Sequence, residues 1–384
     1  MQIKISEVII RTVDAMLLRQ FPDGSFQHGH NGPYYDEELP VRNTAHIMML
    51  LLKAYEIVGA KKYRDAALRA LSYITAEERR PMGATIWARK NPQKDFSNGL
   101  IGQAWVIEAL AYAAEKLDDP SLNTLAEKMF LLHPFDEKTA RWRIVNVDGS
   151  YAGVDMTFNH QLWFAAAGGL VTGSEQIKSQ IEIFLDKLGD NLKIYDSGLI
   201  VHALGGSNNK KSLRRAVKDF IKARVKRQNK SELYKNSVIN KAIGYHAFNT
   251  YAFALLFQEY SMHSFWRSNT FFRILSFLQT DLYRQGLEWF CPTPQSRGKE
   301  LPFNKFGYSY NPPGIEVAYT IQTFKSCYSE IGDETIGLWL GRQFSKTLNA
   351  ESMLMNSLTD DAITLSARLY EAVRLEDCSV SVSI

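Results

Sequence analysis

Apolar residues recur every three to four positions along nearly the whole chain, and the alternation expected of strands is rare. One device also repeats. An apolar, Ala-rich segment runs into a tight turn, and a second amphipathic segment follows. The copies read AYEIVGAKKYRDAALRAL, YAAEKLDDPSLNTLAEKMF, AAAGGLVTGSEQIKSQIEIFL and CYSEIGDETIGLWLGRQF, with turns near Gly59, Asp118, Gly173 and Gly332. Their spacing fits a unit of about 55 residues, and fixed-period units stack because each covers its neighbour's apolar face. The pattern predicts an all-α (α/α)6 toroid, a ring of alternating outer and inner helices. Outer helices are expected near 3–19, 62–75, 120–132, 175–188, 211–228, 264–280 and 334–346. Inner ones are expected near 44–57, 98–115, 157–170, 196–204, 241–259, 314–330 and 360–374. The weak element at 196–204 decides between six and seven hairpins, and six is favoured. No Pro/Ser linker divides the chain, so residues 1–375 read as one domain and 376–384 as a loosely held tail.

The inner segments are small and apolar on most faces, as a doubly covered helix requires. Inner-to-outer connections are short (VGAKK, LDDPS, VTGSE, IGDET), whereas outer-to-inner ones are long, at 20–43, 76–97, 133–156 and 281–313. In an alternating ring all the long connections meet at one end, together with the N-termini of the inner helices. Long loops in a compact domain usually carry function. A cleft is therefore expected there, walled by Trp289, Phe290, Phe306, Tyr308 and Tyr310. These rings can stack on sugars or simply pack the loops down.

Composition narrows the partners. The net charge is +4, from 45 basic and 41 acidic residues, but residues 210–230 hold ten Lys/Arg and only Asp219 as an acid. With Leu213, Val217, Phe220 and Ile221 at helical spacing, this segment reads as an amphipathic helix with a basic outer face. That face is either solvated or a contact for an anionic surface or a protein. Cys291, Cys327 and Cys378 form no CxxC pair, so neither a zinc ribbon nor a disulfide framework is indicated. Charges interrupt the apolar positions of the first 20 residues, unlike a signal peptide, and no apolar run reaches a membrane span. A cytoplasmic protein is expected. No phosphate loop, GxGxxG, HExxH or GxSxG motif is present. No cofactor, metal or nucleic acid is expected.

Two inner-helix starts concentrate polar side chains. VDMTFNHQLWFAAAG supplies Asp155, Asn159, His160 and Trp163, and KAIGYHAFNTYAFALL supplies Lys241, Tyr245, His246, Asn249 and Tyr251. His46 and Gln103 occupy comparable places on two other inner helices. Each can be a hydrogen-bonded core residue or part of a shared site.

FNHQLWFAAAG resembles the Asn-Asn-His-x-Tyr-Trp-Ala-Ala stretch of alginate-lyase-type polysaccharide lyases. YHAFNTYAFALL resembles a Tyr-His stretch of the same toroidal lyases, heparinase-like ones included. The resemblance implies that Asn159 binds a uronate carboxylate while His160 and Tyr245 handle the C5 proton and the leaving oxygen. Phe158 and Leu162 depart from the lyase pattern, and where the lyases carry an arginine ahead of the Tyr-His pair only Lys241 stands near. The chemistry suits these residues. A C5 proton is weakly acidic, so charge on the forming enolate must be taken up and a base of near-neutral pKa must act. A rival resemblance links GSYAGVDMTFNHQLWFAAAGGLVTGSEQI to unsaturated glucuronyl hydrolases. It implies Asp155 as acid/base, with Asp95 from the 76–97 loop as the second carboxylate.

The expectation is thus a carbohydrate-active toroid acting on an acidic glycan. β-Elimination by Asn159, His160 and Tyr245 is preferred, and hydrolysis through Asp155 is the alternative. His46, Gln103, Trp163, His246, Asn249, Lys241, Trp289, Tyr308 and Tyr310 are the candidate sugar contacts. A third possibility is a non-catalytic scaffold that binds a glycan or partner.

Overall fold

The computed structural model describes residues 2–204, 237–288, 303–327 and 334–382. The basic segment 210–230, the turn at Gly332, and Trp289 with Phe290 lie outside the described residues. The helices that build the fold are α1 (Ile5–Leu17), α2 (Val41–Val58), α3 (Lys61–Thr75), α4 (Gly99–Leu117), α5 (Pro120–Leu131), α6 (Phe158–Gly169), α7 (Glu175–Asp186), α8 (His246–Tyr260), α9 (Asn269–Leu278), α10 (Pro313–Phe324), α11 (Glu334–Thr347) and α12 (Ala362–Ala367). A 3₁₀ segment, Arg368–Arg374, continues α12.

Even-numbered helices are the inner ring. α2 packs on α4, α4 on α6, α6 on α8 and α8 on α10. α10 packs on the Arg368–Arg374 segment, which returns to α2 and closes the circle. α1 and α3 lie outside α2, and α5, α7, α9 and α11 each cover one inner neighbour. The sequence explains the division. Every residue of α4 from Gly99 to Ala113 is buried, whereas α3 buries one stripe (Tyr63, Ala66, Ala67, Ala70, Leu71, Ile74) and gives its other face to water. The expected turns end the inner helices: Gly59 (φ 71°) stops α2 and Asp118 (φ 53°) stops α4, both left-handed. Asp119 then caps α5 by accepting from the Ser121 N–H, with Pro120 in its first turn.

The structure corrects the expected ring in four places. Residues 196–204 are not a helix. They form a tight antiparallel turn in which Ile194 bridges Ile200 and Gly198 sits at φ 93°, so the described residues make a ring of six inner segments. The 241–259 helix is two pieces, Ser237–Gly244 and α8, with Tyr245 at the break. Phe306 approaches Gly244 so closely that a Cβ there would lie 2.4 Å from the Phe306 Cβ. Among the described residues five short strands occur: β1 (Gln2–Lys4), β2 (Phe135–Asp136), β3 (Arg141–Val145), β4 (Tyr151–Val154) and β5 (Ser379–Ser381). β2, β3 and β4 make an antiparallel sheet in the order 2-3-4 within the long 133–156 connection. The tail read as loose is paired: β5 runs antiparallel to β1, with Gln2 opposite Ser381. Among the described residues no helix is long and apolar enough to cross a membrane.

Candidate active site

The long connections and the inner N-termini meet at one end, as the loop lengths require. There they surround a hollow of about 210 Å³. Its chemistry begins with Asp155, placed by the end of the β3–β4 hairpin beside the start of α4. Its Oδ2 accepts from the Leu100 N–H at 3.2 Å and its Oδ1 from the Thr157 N–H at 3.1 Å. The carboxylate approaches this closely because residue 99 is glycine. A Cβ at Gly99 would sit 2.5 Å from Asp155 Oδ2, and Gly99 holds φ +58°. His160, one turn into α6, brings Nδ1 to 2.8 Å from the same Oδ2. Burial raises the Asp155 pKa, but His160 and the two N–H donors outweigh it, so the carboxyl stays below its ordinary range and ionised. With Nδ1–H donated to Asp155, Nε2 is the His160 nitrogen left to exchange protons.

Across from this pair, Tyr245 comes from the break ahead of α8 and Lys241 from the Ser237–Gly244 helix before it. The Tyr245 hydroxyl lies 2.8 Å from that of Tyr34, which arrives from the 18–40 connection. Burial drives the Tyr245 pKa far above 10, so it is a protonated phenol at working pH. Lys241 Nζ stands 5.1 Å and 5.8 Å from the Tyr34 and Tyr245 ring centres. No carboxylate pairs with it among the described residues. Burial, with Lys305 nearby, lowers its pKa to about 8. At the floor, Arg368 donates to Asn311 Oδ1 (2.8 Å), Glu316 Oε1 (2.7 Å) and Glu371 Oε1 (2.5 Å). At the rim, Arg89 bonds Asp36, Asp95 and Asn98, and Lys94 bonds Asp36. Among the described residues lining the hollow are Arg89, Lys94, Lys241 and Arg368, and no Asp or Glu.

Of the expected site residues, Asn159, His160, Lys241, Tyr245 and Tyr310 line this hollow, with Asp155 directly behind His160. The other described ones do not line it. His46 is buried, stacked 3.9 Å from Tyr370, and held neutral by burial. Gln103 secures the 76–97 connection through Ile86 and Ser97. Trp163 donates to the Phe248 carbonyl and stacks on that ring. His246 sits between the Ile274 carbonyl and the Ile200 N–H, and burial lowers its pKa to about 4. Asn249 and Tyr308 are buried in the core. Asp95 is held by Arg89 and by the Gly99 N–H. Tyr34, Asn98, His202 and Arg368 were missed. The His202 ring lies 4.9 Å from that of Tyr245, and its backbone carbonyl accepts from Phe158 N–H. Tyr34 and His202 come from connections, Asn98 caps the start of α4 and Arg368 follows the end of α12. A larger hollow, of about 690 Å³, opens at the opposite end among Lys53, Tyr112, Lys116 and Arg374.

No family model matches the chain. It is 38% identical to archaeal glycosylation protein Q of Haloferax volcanii, over 98% of each sequence. Among solved structures it resembles a D-mannose isomerase (TM-score 0.61, 11% identity, 97% of each chain). It also resembles the α-1,6-mannanase of Salegentibacter sp. HEL1_6 (TM-score 0.55, 12% identity, 96% of this chain and 98% of that one). A third is an unsaturated glucuronyl hydrolase specific for heparin (TM-score 0.58, 10% identity, 96% and 95%). At such identities the likeness establishes the α/α-toroid fold.

Proposed function

The chain belongs to the family of archaeal glycosylation protein Q, and from that membership and the hollow's geometry we propose that it acts on a uronate residue of a glycan, removing the C5 proton beside the carboxylate. The supporting observation is one pairing. A largely buried lysine with no carboxylate partner among the described residues faces the Asp155-oriented His160 in a hollow whose described lining has no carboxylate side chain. A buried cation without a counter-ion is costly, and an anionic ligand relieves that cost.

In this reading the uronate carboxylate sits against Lys241, with Asn159 beside it. His160 Nε2 takes the C5 proton, and the imidazolium is held by Asp155. The electron pair of the C5–H bond forms the C4=C5 double bond as the C4–O bond breaks. Tyr245, a phenol that stays protonated, fits an acid that delivers a proton to the departing oxygen. Hydrolysis has less support. Glycosidases of the two-carboxylate kind set both groups across the scissile bond, whereas Asp155 is turned to backbone N–H groups and His160, and Asp95 is occupied by Arg89.

The test is to incubate the protein with glucuronate-containing oligosaccharides and follow the ultraviolet absorbance of a conjugated uronate double bond. A rise that disappears in His160→Ala is expected. A fall in absorbance on already unsaturated oligosaccharides, dependent on Asp155 and indifferent to His160, would replace elimination with hydrolysis. Turnover of neutral glycans alone would overturn the uronate reading.

A further inference from the structure

The inner helices form a ring of six, and α2 and α8 occupy opposite positions in it. Tyr34 lies in the connection that leads into α2, while Tyr245 stands at the start of α8. Their hydroxyls are 2.8 Å apart. The pair is therefore a buried bar along one wall of the hollow, joining opposite sides of the ring. The bar is anchored. Asp361 Oδ2 accepts from the His30 N–H at 3.2 Å and the Gly32 N–H at 2.7 Å. Asn31 and Tyr35 hold left-handed backbone at φ 59° and 49°. Gly32 is pressed so close to the Tyr310 ring that a Cβ would meet it at 2.1 Å. Asn31 Oδ1 accepts from Tyr310 at 2.6 Å and from Arg42 at 3.2 Å. No part of this anchorage can swing aside without breaking several buried bonds.

A site for an internal residue of a glycan must be open on two sides, so that the chain enters and leaves. Here one side is crossed by the Tyr34–Tyr245 bar. The space beneath it, about 210 Å³, is below the range of roughly 300–1,000 Å³ usual for drug-sized ligands, which suits one sugar ring. We propose that the hollow admits only a chain-end uronate, whose single linkage runs out past the rim of Arg89, Lys94 and Asn98; because the elimination expels the oxygen on C4, the end that is cleaved is the reducing one, linked through O4. This rests on the uronate reading above and adds which residue of a glycan can enter.

The experiment measures binding by calorimetry to four synthetic trisaccharides. One carries glucuronate at the non-reducing end, one at the reducing end, and one in the middle. The fourth repeats whichever chain-end glycan binds best, with its carboxylate reduced to an alcohol. Binding of at least one chain-end glycan, at least tenfold tighter than the internal one, is expected. Tyr34→Ala should narrow that ratio several-fold by opening the far side, while Tyr34→Phe, which keeps the ring, should preserve most of it. Equal binding of internal and terminal glucuronate in the wild-type protein overturns the proposal without any variant. If the reduced glycan binds as well as its acid, the uronate reading fails while the chain-end preference stands. Binding of none of the four removes both.

Discussion

At the residue scale the site depends on two charges that the fold leaves in contrasting states. Asp155 is ionised and satisfied, and Lys241 is charged with no carboxylate paired to it among the described residues. Asp155→Asn keeps the shape but releases the His160 tautomer and weakens the imidazolium. A fall in kcat on the order of 10²–10⁴-fold is expected, with KM nearly unchanged. Steady-state kinetics on the glucuronate oligosaccharides checks this. Lys241 carries its charge below about 8. Raising the pH through that value removes the cation facing the substrate carboxylate, so the wild-type KM should climb. Lys241→Gln should show a KM raised roughly tenfold or more at every pH, and Lys241→Arg should show no climb. Asn159, His160 and Tyr245 were legible in the sequence because each sits at the start of an inner helix, where the periodicity alone fixes its end of the ring. His46, Gln103 and His246 sit on similar helices yet point elsewhere. Their rings and amides settle buried carbonyls, N–H groups and aromatic faces, which no spacing records.

At the scale of elements, the 3.6-residue period located the six inner and six outer helices to within a few residues at most ends. It failed where local signals are weak. β2, β3 and β4 are two to five residues long, too short for alternation to stand out. The 196–204 stretch has a buried run, Gly198–Ile200, flanked by half-buried and exposed residues, and reads ambiguously as helix. The junction of the Asp155 loop with α4 hinges on Gly99. Gly99→Ala would force a side chain into φ +58°, costing about 1–2 kcal/mol, and would push its Cβ against the Asp155 carboxylate. The expected result is a kcat loss comparable to that of Asp155→Asn, with a modest drop in melting temperature. Kinetics alongside thermal unfolding separates the two effects.

At the scale of the whole molecule, the ring's axis is filled by buried arginines and glutamates. Arg368 holds Glu316 and Glu371, and Arg374 holds Glu108 at 2.8 Å. Burial raises all three acids, and the arginines counter that rise. Removing one partner of such a set strands the other. Arg368→Met should lower stability by about 3–5 kcal/mol. The loss should shrink as the pH falls toward the ordinary glutamate range, because acids with raised native pKa values destabilise the fold only where the unfolded chain would ionise them. Chemical denaturation at several pH values checks both the size and the direction. None of this axis was legible beforehand, since its members come from α4, α10 and the Arg368–Arg374 segment, far apart in sequence. The pairing of β1 with β5 carries a different consequence. With Gln2 facing Ser381, this two-stranded ribbon ties the first outer helix to the chain that leaves the ring's closing segment, so it acts as a clasp over the seam where the circle shuts.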